Sequence, residues 1–448
     1  MANKKTTKSS SGKSSAKTNV KRVATAVSKY DTSKSFKDNS DALKGVVTAT
    51  ATSAHRSKNK KQKTFFLVLL VIIVVAILVT LVYGYYSGWY DAVIGYNMRD
   101  YNSKTYNIQA IQNEQLSIHF MQLNNKSNGD SIYIKAGDTD ILIDAGSEKG
   151  SAKSIGDYVD RYCTDGKLEY VIVTHGDSDH IAGFIGTSVA KGIFDRYECE
   201  NIIQFARTNK NTQVYKDYCK KRDAEKDNGA NVYTALDCVK NTNGAKSEYE
   251  LADGITMKIL YQEYYEKDNS NENDYSVCIL ITQEYQKDGV TETNNYYLLG
   301  DLEEAGEKSL VANNSDLPKA TLYKGGHHGS KTSANEVLLE KIRPEIVCVC
   351  CVAGSVEYTQ NLENTFPTQD FINRIANYTD RVYATDVATV TKNSSGKYKN
   401  TSYSALNGDI VFACSNGEIS MYFSNNDTKL KDTEWFKNNR TCPQAWQN

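Results

Sequence analysis

Apolar positions fall along the 448-residue chain in three regimes. Residues 1–64 are rich in Ser, Thr and Lys and show no apolar period, which predicts a disordered tail. Residues 65–83 then form a run without a single charge, in which Thr80 is the one polar side chain. Such a run is long enough to cross a hydrocarbon core of roughly 30 Å as a helix. A transmembrane helix is therefore expected over 65–85, followed by a Tyr/Asn-rich spacer over 86–113. From 114 to about 424 strand-like and helix-like patterns alternate, and 425–448 reads as a polar tail anchored by Trp435 and Trp446.

Within the alternating region, short apolar runs bounded by Asn, Gly and Asp turns predict strands at 117–123, 131–136, 140–143 and 168–173. Further strands are expected at 255–261, 276–282, 296–299, 345–352 and 382–384. Residues 151–162 carry Ile155, Tyr158, Val159 and Tyr162 on one helical face. Other helices are expected near 211–226, 305–311, 334–342 and 368–376. The charged stretch 205–250 reads as an elaboration over the rest. A strand-rich opening followed by interleaved helices fits an α/β fold, two sheets sandwiched between helices.

Charge sharpens the division. Residues 1–64 contain 16 Lys and Arg against three acids, a net +13, so residues 65–448 carry −14 within a total of −1. Arg56, Lys58, Lys60, Lys61 and Lys63 precede the apolar run, and Tyr83, Tyr85, Tyr86, Trp89 and Tyr90 cluster at its end. Basic flanks stay cytoplasmic and aromatics mark the interface. The expectation is a single-pass protein of the cell membrane, N-terminus cytoplasmic, with the folded region extracytoplasmic. A secretory signal peptide would have a shorter apolar core and a small-residue cleavage site. All ten cysteines lie beyond residue 160. Disulfides and free thiols both remain open, since Cys278, Cys348 and Cys350 sit in apolar runs.

The candidate chemistry begins where an apolar run ends in His175-Gly176-Asp177-Ser178-Asp179-His180. Four potential ligands in six residues suit a pair of ions better than one. Leu298-Leu299-Gly300-Asp301 puts a second carboxylate at a strand end, where Asp301 could also cap a helix starting at Leu302. Lys324-Gly325-Gly326-His327-His328-Gly329-Ser330 adds two of the six histidines. His55 and His119 are accounted for by the tail and a strand.

Together these segments resemble the metallo-β-lactamase superfamily, and within it the soluble hydrolase domain of the ComEC competence-protein family. The likeness rests on Gly129-Asp130-Ser131, Asp144-Ala145-Gly146, His175 through Gly183, and Asn273-Asp274-Tyr275-Ser276. It continues through Gly300-Asp301, His327 through Ser333, and Thr385-Asp386, all in the family's order. The resemblance implies a four-layer αββα sandwich over 114–424 with two divalent ions, zinc or manganese, between the sheets. It implies His175 and Asp177 on one ion, Asp179, His180 and His328 on the other, and Asp301 bridging. Asp179, Asp301 and His327 would take part in catalysis, His327 as acid or transition-state donor. Asp144 would support the metal loop, and Ser330 and Lys331 would meet a substrate phosphate. A water between two cations loses its proton readily and attacks in line.

Two departures stand out. The common superfamily pattern has a histidine where Asp177 stands, and no histidine lies between His180 and Asp301. Asn273 or Asp274 is a candidate for the missing ligand, and the carboxylate-rich set favours harder ions. Phe366-Pro367 also stands where the ComEC domain often has His-Pro. The expected activity is a membrane-anchored phosphodiesterase, a nuclease in one form, with DNA or a cell-wall polymer as substrate and no protein partner. The channel helices of competence proteins are missing, so no transport role carries over. A net −14 disfavours DNA unless Lys216, Lys220, Lys221 and Arg222 form a basic groove. The alternatives are a phosphorylcholine-esterase-like hydrolase of cell-wall polymers and a catalytically silent binding module.

Overall fold

The computed structural model divides the chain into two units, Met1–Asp100 and Tyr101–Asn448. It describes residues 68–69 of the first and 106–447 of the second. The expected tail over 1–64, nearly all of the expected membrane helix over 65–85, and most of the spacer lie outside the described residues. Among the described residues no helix is long and apolar enough to cross a membrane.

The second unit is mixed α/β with two eight-stranded sheets. Six strands open the first sheet: β1 (Leu116–Phe120), β2 (Ile132–Ala136), β3 (Thr139–Ile143), β4 (Lys167–Val173), β5 (Glu198–Gln204) and β6 (Asn231–Thr234). The second sheet follows as β7 (Glu248–Ala252), β8 (Ile255–Leu260), β9 (Cys278–Lys287), β10 (Val290–Leu298), β11 (Leu322–Lys324), β12 (Ile346–Ala353), β13 (Val382–Lys392) and β14 (Tyr398–Ala405). The chain then returns to the first sheet as β15 (Ile410–Ser415) and β16 (Glu418–Phe423). The orders are β16-β15-β1-β2-β3-β4-β5-β6 and β14-β13-β12-β11-β10-β9-β8-β7.

Both sheets contain a parallel run, β3 to β6 at one edge of the first and β10 to β13 in the second, where antiparallel strands flank it on both sides. A parallel strand covered on both faces reads as a continuous apolar run, and β12, Ile-Val-Cys-Val-Cys-Cys-Val-Ala, is buried at every position. The sheets pack face to face: the ring of Tyr296 on β10 lies 5.3 Å from that of Phe412 on β15. One apolar core fills the space between them and runs beneath Tyr158 and Tyr218 of the helices Ser151–Val159 and Gln213–Asp227. A second core packs Leu310, Leu338, Leu339, Phe371 and Ile372 of the helices Glu304–Asn313, Glu336–Ile342 and Gln369–Ile375 onto the second sheet. Helices thus cover the outer face of each sheet, as the αββα expectation requires.

Several elements depart from expectation. Strands β5, β6, β7, β14, β15 and β16 were not anticipated, and β9 and β10 form one long hairpin across Asp288-Gly289. Residues 425–448 are more than a polar tail, since Leu430, Phe436 and Trp446 are buried in the second core. The Trp446 indole also donates to the Thr379 carbonyl at 2.8 Å. All ten cysteines are free, and seven of the eight buried ones lie in strands or the helices against them, where a thiol acts as a small apolar group.

Candidate metal centre

The carboxyl ends of the parallel strands deliver the candidate groups to one place, the usual position of sites in open α/β sheets. Strand β3 ends just before Asp144, β4 just before Thr174 and His175, β10 just before Asp301, and β11 just before His327 and His328. The helix Ser178–Ile185 starts directly after Asp177 and carries Asp179 and His180 in its first turn. Gly183 of that helix is required by close approach, because a Cβ there would collide with the Ala145 carbonyl oxygen. That contact holds the helix against the Asp144 loop, with Ala145 N–H donating to the His180 carbonyl at 2.8 Å.

Asp144 holds a left-handed backbone, φ 57°, uncommon for a residue with a side chain. Its carboxylate accepts the Thr174 amide at 2.8 Å, the Thr174 hydroxyl at 2.6 Å and the His180 Nδ1–H at 2.7 Å. This fixes the His180 tautomer and turns Nε2 toward Asp301 Oδ2, 3.2 Å away. His328 is oriented the same way: its Nδ1–H meets the Cys350 carbonyl at 2.9 Å. Its Nε2 then lies 3.2 Å from Asp301 Oδ2 and 3.4 Å from Asp179 Oδ2. His327 and His328 both have left-handed backbones, φ 44° and 53°, strain that flanking glycines help the loop to accept.

The structure therefore brings His175, Asp179, His180, Asp301 and His328 together. His175, His180 and Asp301 each offer an atom within 4.8 Å of the others, and so do Asp179, His180 and His328. His175 is fully buried, yet its Nε2 has no hydrogen-bond partner. An orphaned buried imidazole nitrogen among carboxylates fits a divalent ion, as does the mixed N/O donor set. Asp177 stands apart, its Oδ2 3.6 Å from His175 Nε2 and its Oδ1 paired with the Lys210 ammonium.

Charge dominates this pocket. Burial alone would lower His180, but Asp301, Asp144 and Asp130 outweigh it and hold the imidazole well above its ordinary range. Burial likewise opposes, and Asp301 and Asp130 overcome it, in raising His328 to about 10. Burial pushes His175 down to about 4, with the neighbouring His180 charge adding to the effect. Burial would raise Asp301, yet His328, Lys324 and His180 hold it well below the usual carboxylate range.

The other candidate residues sit elsewhere in the network. The His327 Nδ1 pairs with Glu303 Oε1 at 2.8 Å, and its ring lies 5.6 Å from that of Phe366. Asn273 donates to Glu303 at 2.9 Å, while Asp274 Oδ1 accepts the Glu303 and Gly306 amides at 3.2 and 3.0 Å. Asp274 thus caps the helix Glu304–Asn313 and does not replace the missing histidine, and Asp301 is not that helix's cap. Ser330 exchanges a hydrogen bond with the Thr332 hydroxyl at 2.9 Å. Lys331 lines a polar cavity of about 570 Å³ with Thr368, Gln369 and Arg440.

Three residues of the site were missed from the sequence. Lys324, 1 % exposed, pairs with Asp130 and sits 2.9 Å from Asp301 Oδ1. Asp130, in the Gly129-Asp130-Ser131 stretch, pairs with the Lys324 ammonium through one oxygen and lies 3.2 Å from His328 Nδ1 with the other. Tyr358 donates its hydroxyl to Asp179 Oδ2 at 2.8 Å from a loop 179 residues downstream. A lysine inside an apolar strand end was the one available signal; nothing local marks Tyr358.

Residues 125–186 match the family model described as the metallo-beta-lactamase superfamily. No curated protein matches the chain. Among solved structures, the chain is similar to a mutant of the CmlA beta-hydroxylase at 8% identity and TM-score 0.32, covering 60% of this chain and 52% of that one. It thus spans about half the length of that hydroxylase. It is similar to the metallo-beta-lactamase SMB-1 at 11% identity and TM-score 0.27, covering 46% and 77% of the two chains. A Cronobacter sakazakii metallo-beta-lactamase with a HARLDQ motif follows at 12% identity and TM-score 0.24, covering 46% and 73%.

Proposed function

We propose that the second unit is a metal-dependent hydrolase of metallo-β-lactamase fold that cleaves phosphodiesters, with its chain anchored in the membrane by residues 65–85. The observation that carries the reading is Asp301 Oδ2, 3.2 Å from both His180 Nε2 and His328 Nε2. Asp301 also offers an atom within 4.8 Å of His175, so this carboxylate reaches imidazoles expected on both ions, as a group shared between two cations would. The resemblance of the motif series to the ComEC hydrolase domain supports phosphodiesters as the substrate class.

Bound ions, zinc or manganese, would supply an acidified water and positive charge for the substrate oxygens. The chain's own residues do the rest. Asp144 and the Cys350 carbonyl keep Nε2 of His180 and His328 facing inward. His327, half-buried at the rim and paired with Glu303, is placed to give a proton to the leaving oxygen. Phe366 covers the two histidines and limits water there.

A cell-wall polymer suits the acidic domain better than DNA. Of the four basic residues that could have formed a groove, Lys221 pairs with Asp195 at 2.6 Å and Arg222 with Asp223 at 2.7 Å. The test is elemental analysis of the full chain in detergent together with turnover of bis-(p-nitrophenyl) phosphate, DNA and teichoic-acid-type polymers. About two ions per chain and diester cleavage abolished by Asp301→Ala are expected. Absence of bound metal in the purified protein and after reloading refutes the reading.

A further inference from the structure

The two cation positions are unlike in their surroundings, and the difference comes from one lysine. On the Asp179 side, the carboxylate meets the Tyr358 hydroxyl and the His328 imidazole. On the Asp177 side, an ammonium already stands: Lys210 Nζ pairs directly with Asp177 Oδ1. Lys210 and Asp177 are only 26% and 28% exposed.

The placement of Lys210 is built by its neighbours. Glu272, a buried carboxylate 96 residues away from Gly176, accepts the Gly176 amide at 3.1 Å. The same carboxylate accepts the Thr208 hydroxyl at 2.5 Å and the Asn209 amide at 2.6 Å. The Thr208 hydroxyl oxygen in turn accepts the Lys210 amide at 3.0 Å. Glu272 thereby staples the 208–210 loop onto the His175-Gly176-Asp177 turn. The approach is close enough to require glycine: a Cβ on Gly176 would lie 2.7 Å from Glu272 Oε1 and 3.2 Å from the Lys210 Cγ.

We propose that Lys210 is a resident counter-ion that makes the two positions unequal. The Asp179, His180 and His328 position binds a divalent ion tightly, and the His175 and Asp177 position fills only by displacing the Lys210 ammonium. An ammonium and a divalent ion on one carboxylate repel each other at short range, in a site only partly open to water. No histidine stands in for Asp177, so beyond His175 and the shared Asp301 the second position has no further imidazole to offset that repulsion. This inference rests on the metal-dependent reading above and adds an order of filling and its cause.

The test is calorimetric titration of the full chain, stripped with chelator and held in detergent, with manganese and separately with zinc. The wild type is expected to take one tight equivalent and a second at least about tenfold weaker. Lys210→Met is expected to bring the two affinities within about threefold of each other, whereas Lys210→Arg keeps the wild-type isotherm. Lys210→Gln serves as a second neutral variant, with circular dichroism confirming that each protein is folded. Two equal equivalents in the wild type, or an unchanged isotherm in both neutral variants, overturn the role of Lys210 alone. No uptake by any of the proteins overturns the metal reading itself, and this proposal with it.

Discussion

Asp144 accepts the Nδ1 proton of His180 at 2.7 Å, from a backbone conformation that few non-glycine residues adopt. The strained aspartate sets which imidazole nitrogen faces the site. Asp144→Asn replaces an anionic acceptor by a neutral amide that can turn the wrong way. Divalent-ion affinity is expected to fall about 10- to 100-fold with the fold retained, read by calorimetry on chelator-stripped protein.

Lys324 is the internal cation between Asp130 and Asp301. Lys324→Met leaves two buried carboxylates facing each other without it. In chelator, urea unfolding is expected to show a loss of about 3–5 kcal/mol. Added manganese should restore part of that loss in the variant, because a bound ion answers the same carboxylates. An unchanged midpoint in chelator would contradict the pairing.

Glu307 is a buried carboxylate that accepts the Ala334 amide at 2.6 Å and the Asn335 amide at 2.9 Å. Burial raises it from 4.5 to about 7, against the lowering effect of those hydrogen bonds. The folded state therefore holds this proton in a window where the unfolded chain has released it. Its contribution to stability is present below about 4.5 and is lost as pH rises through about 7. Unfolding free energy in chelator should carry a component falling by up to about 1.4 kcal/mol per pH unit there. Glu307→Gln should remove that component, read from urea midpoints across the window.

Trp446 closes the second core from a segment whose sequence is mostly polar. Trp446→Ala is expected to cost about 3–5 kcal/mol. Turnover per folded molecule should stay unchanged, since no candidate ligand touches this residue. A urea midpoint equal to wild type would mean that the segment adds nothing to the core.

The candidate ligands were legible because each sits next to a strand end within its own short motif, as His175 and Asp301 do. The two-sheet plan was legible from the apolar runs of β3, β4 and β12. The missed hairpins had a signal of a different kind. Asp288-Gly289 and Asn416-Gly417 each pair two left-handed residues between strands, the signature of a two-residue hairpin turn. Their flanks, such as Glu284 to Lys287 and Thr291 to Thr293, are polar because these arms reach beyond the core, so no apolar alternation announces them. Lys210, Glu272 and Tyr358 were illegible for another reason. Their partners lie 33, 96 and 179 residues away, and only tertiary packing decides which lysine or tyrosine meets which aspartate.

The division of the donor set between the two sheets bears on how the molecule matures. His175, Asp179 and His180 belong to the half made first by the ribosome, and Asp301 and His328 to the half made later. A nascent chain that has emerged only through β6 presents an imidazole-bearing turn with no opposing wall. On the proposed metal-dependent reading, cation capture would wait until the later sheet docks, so ion retention would serve as a stopwatch for the final assembly step.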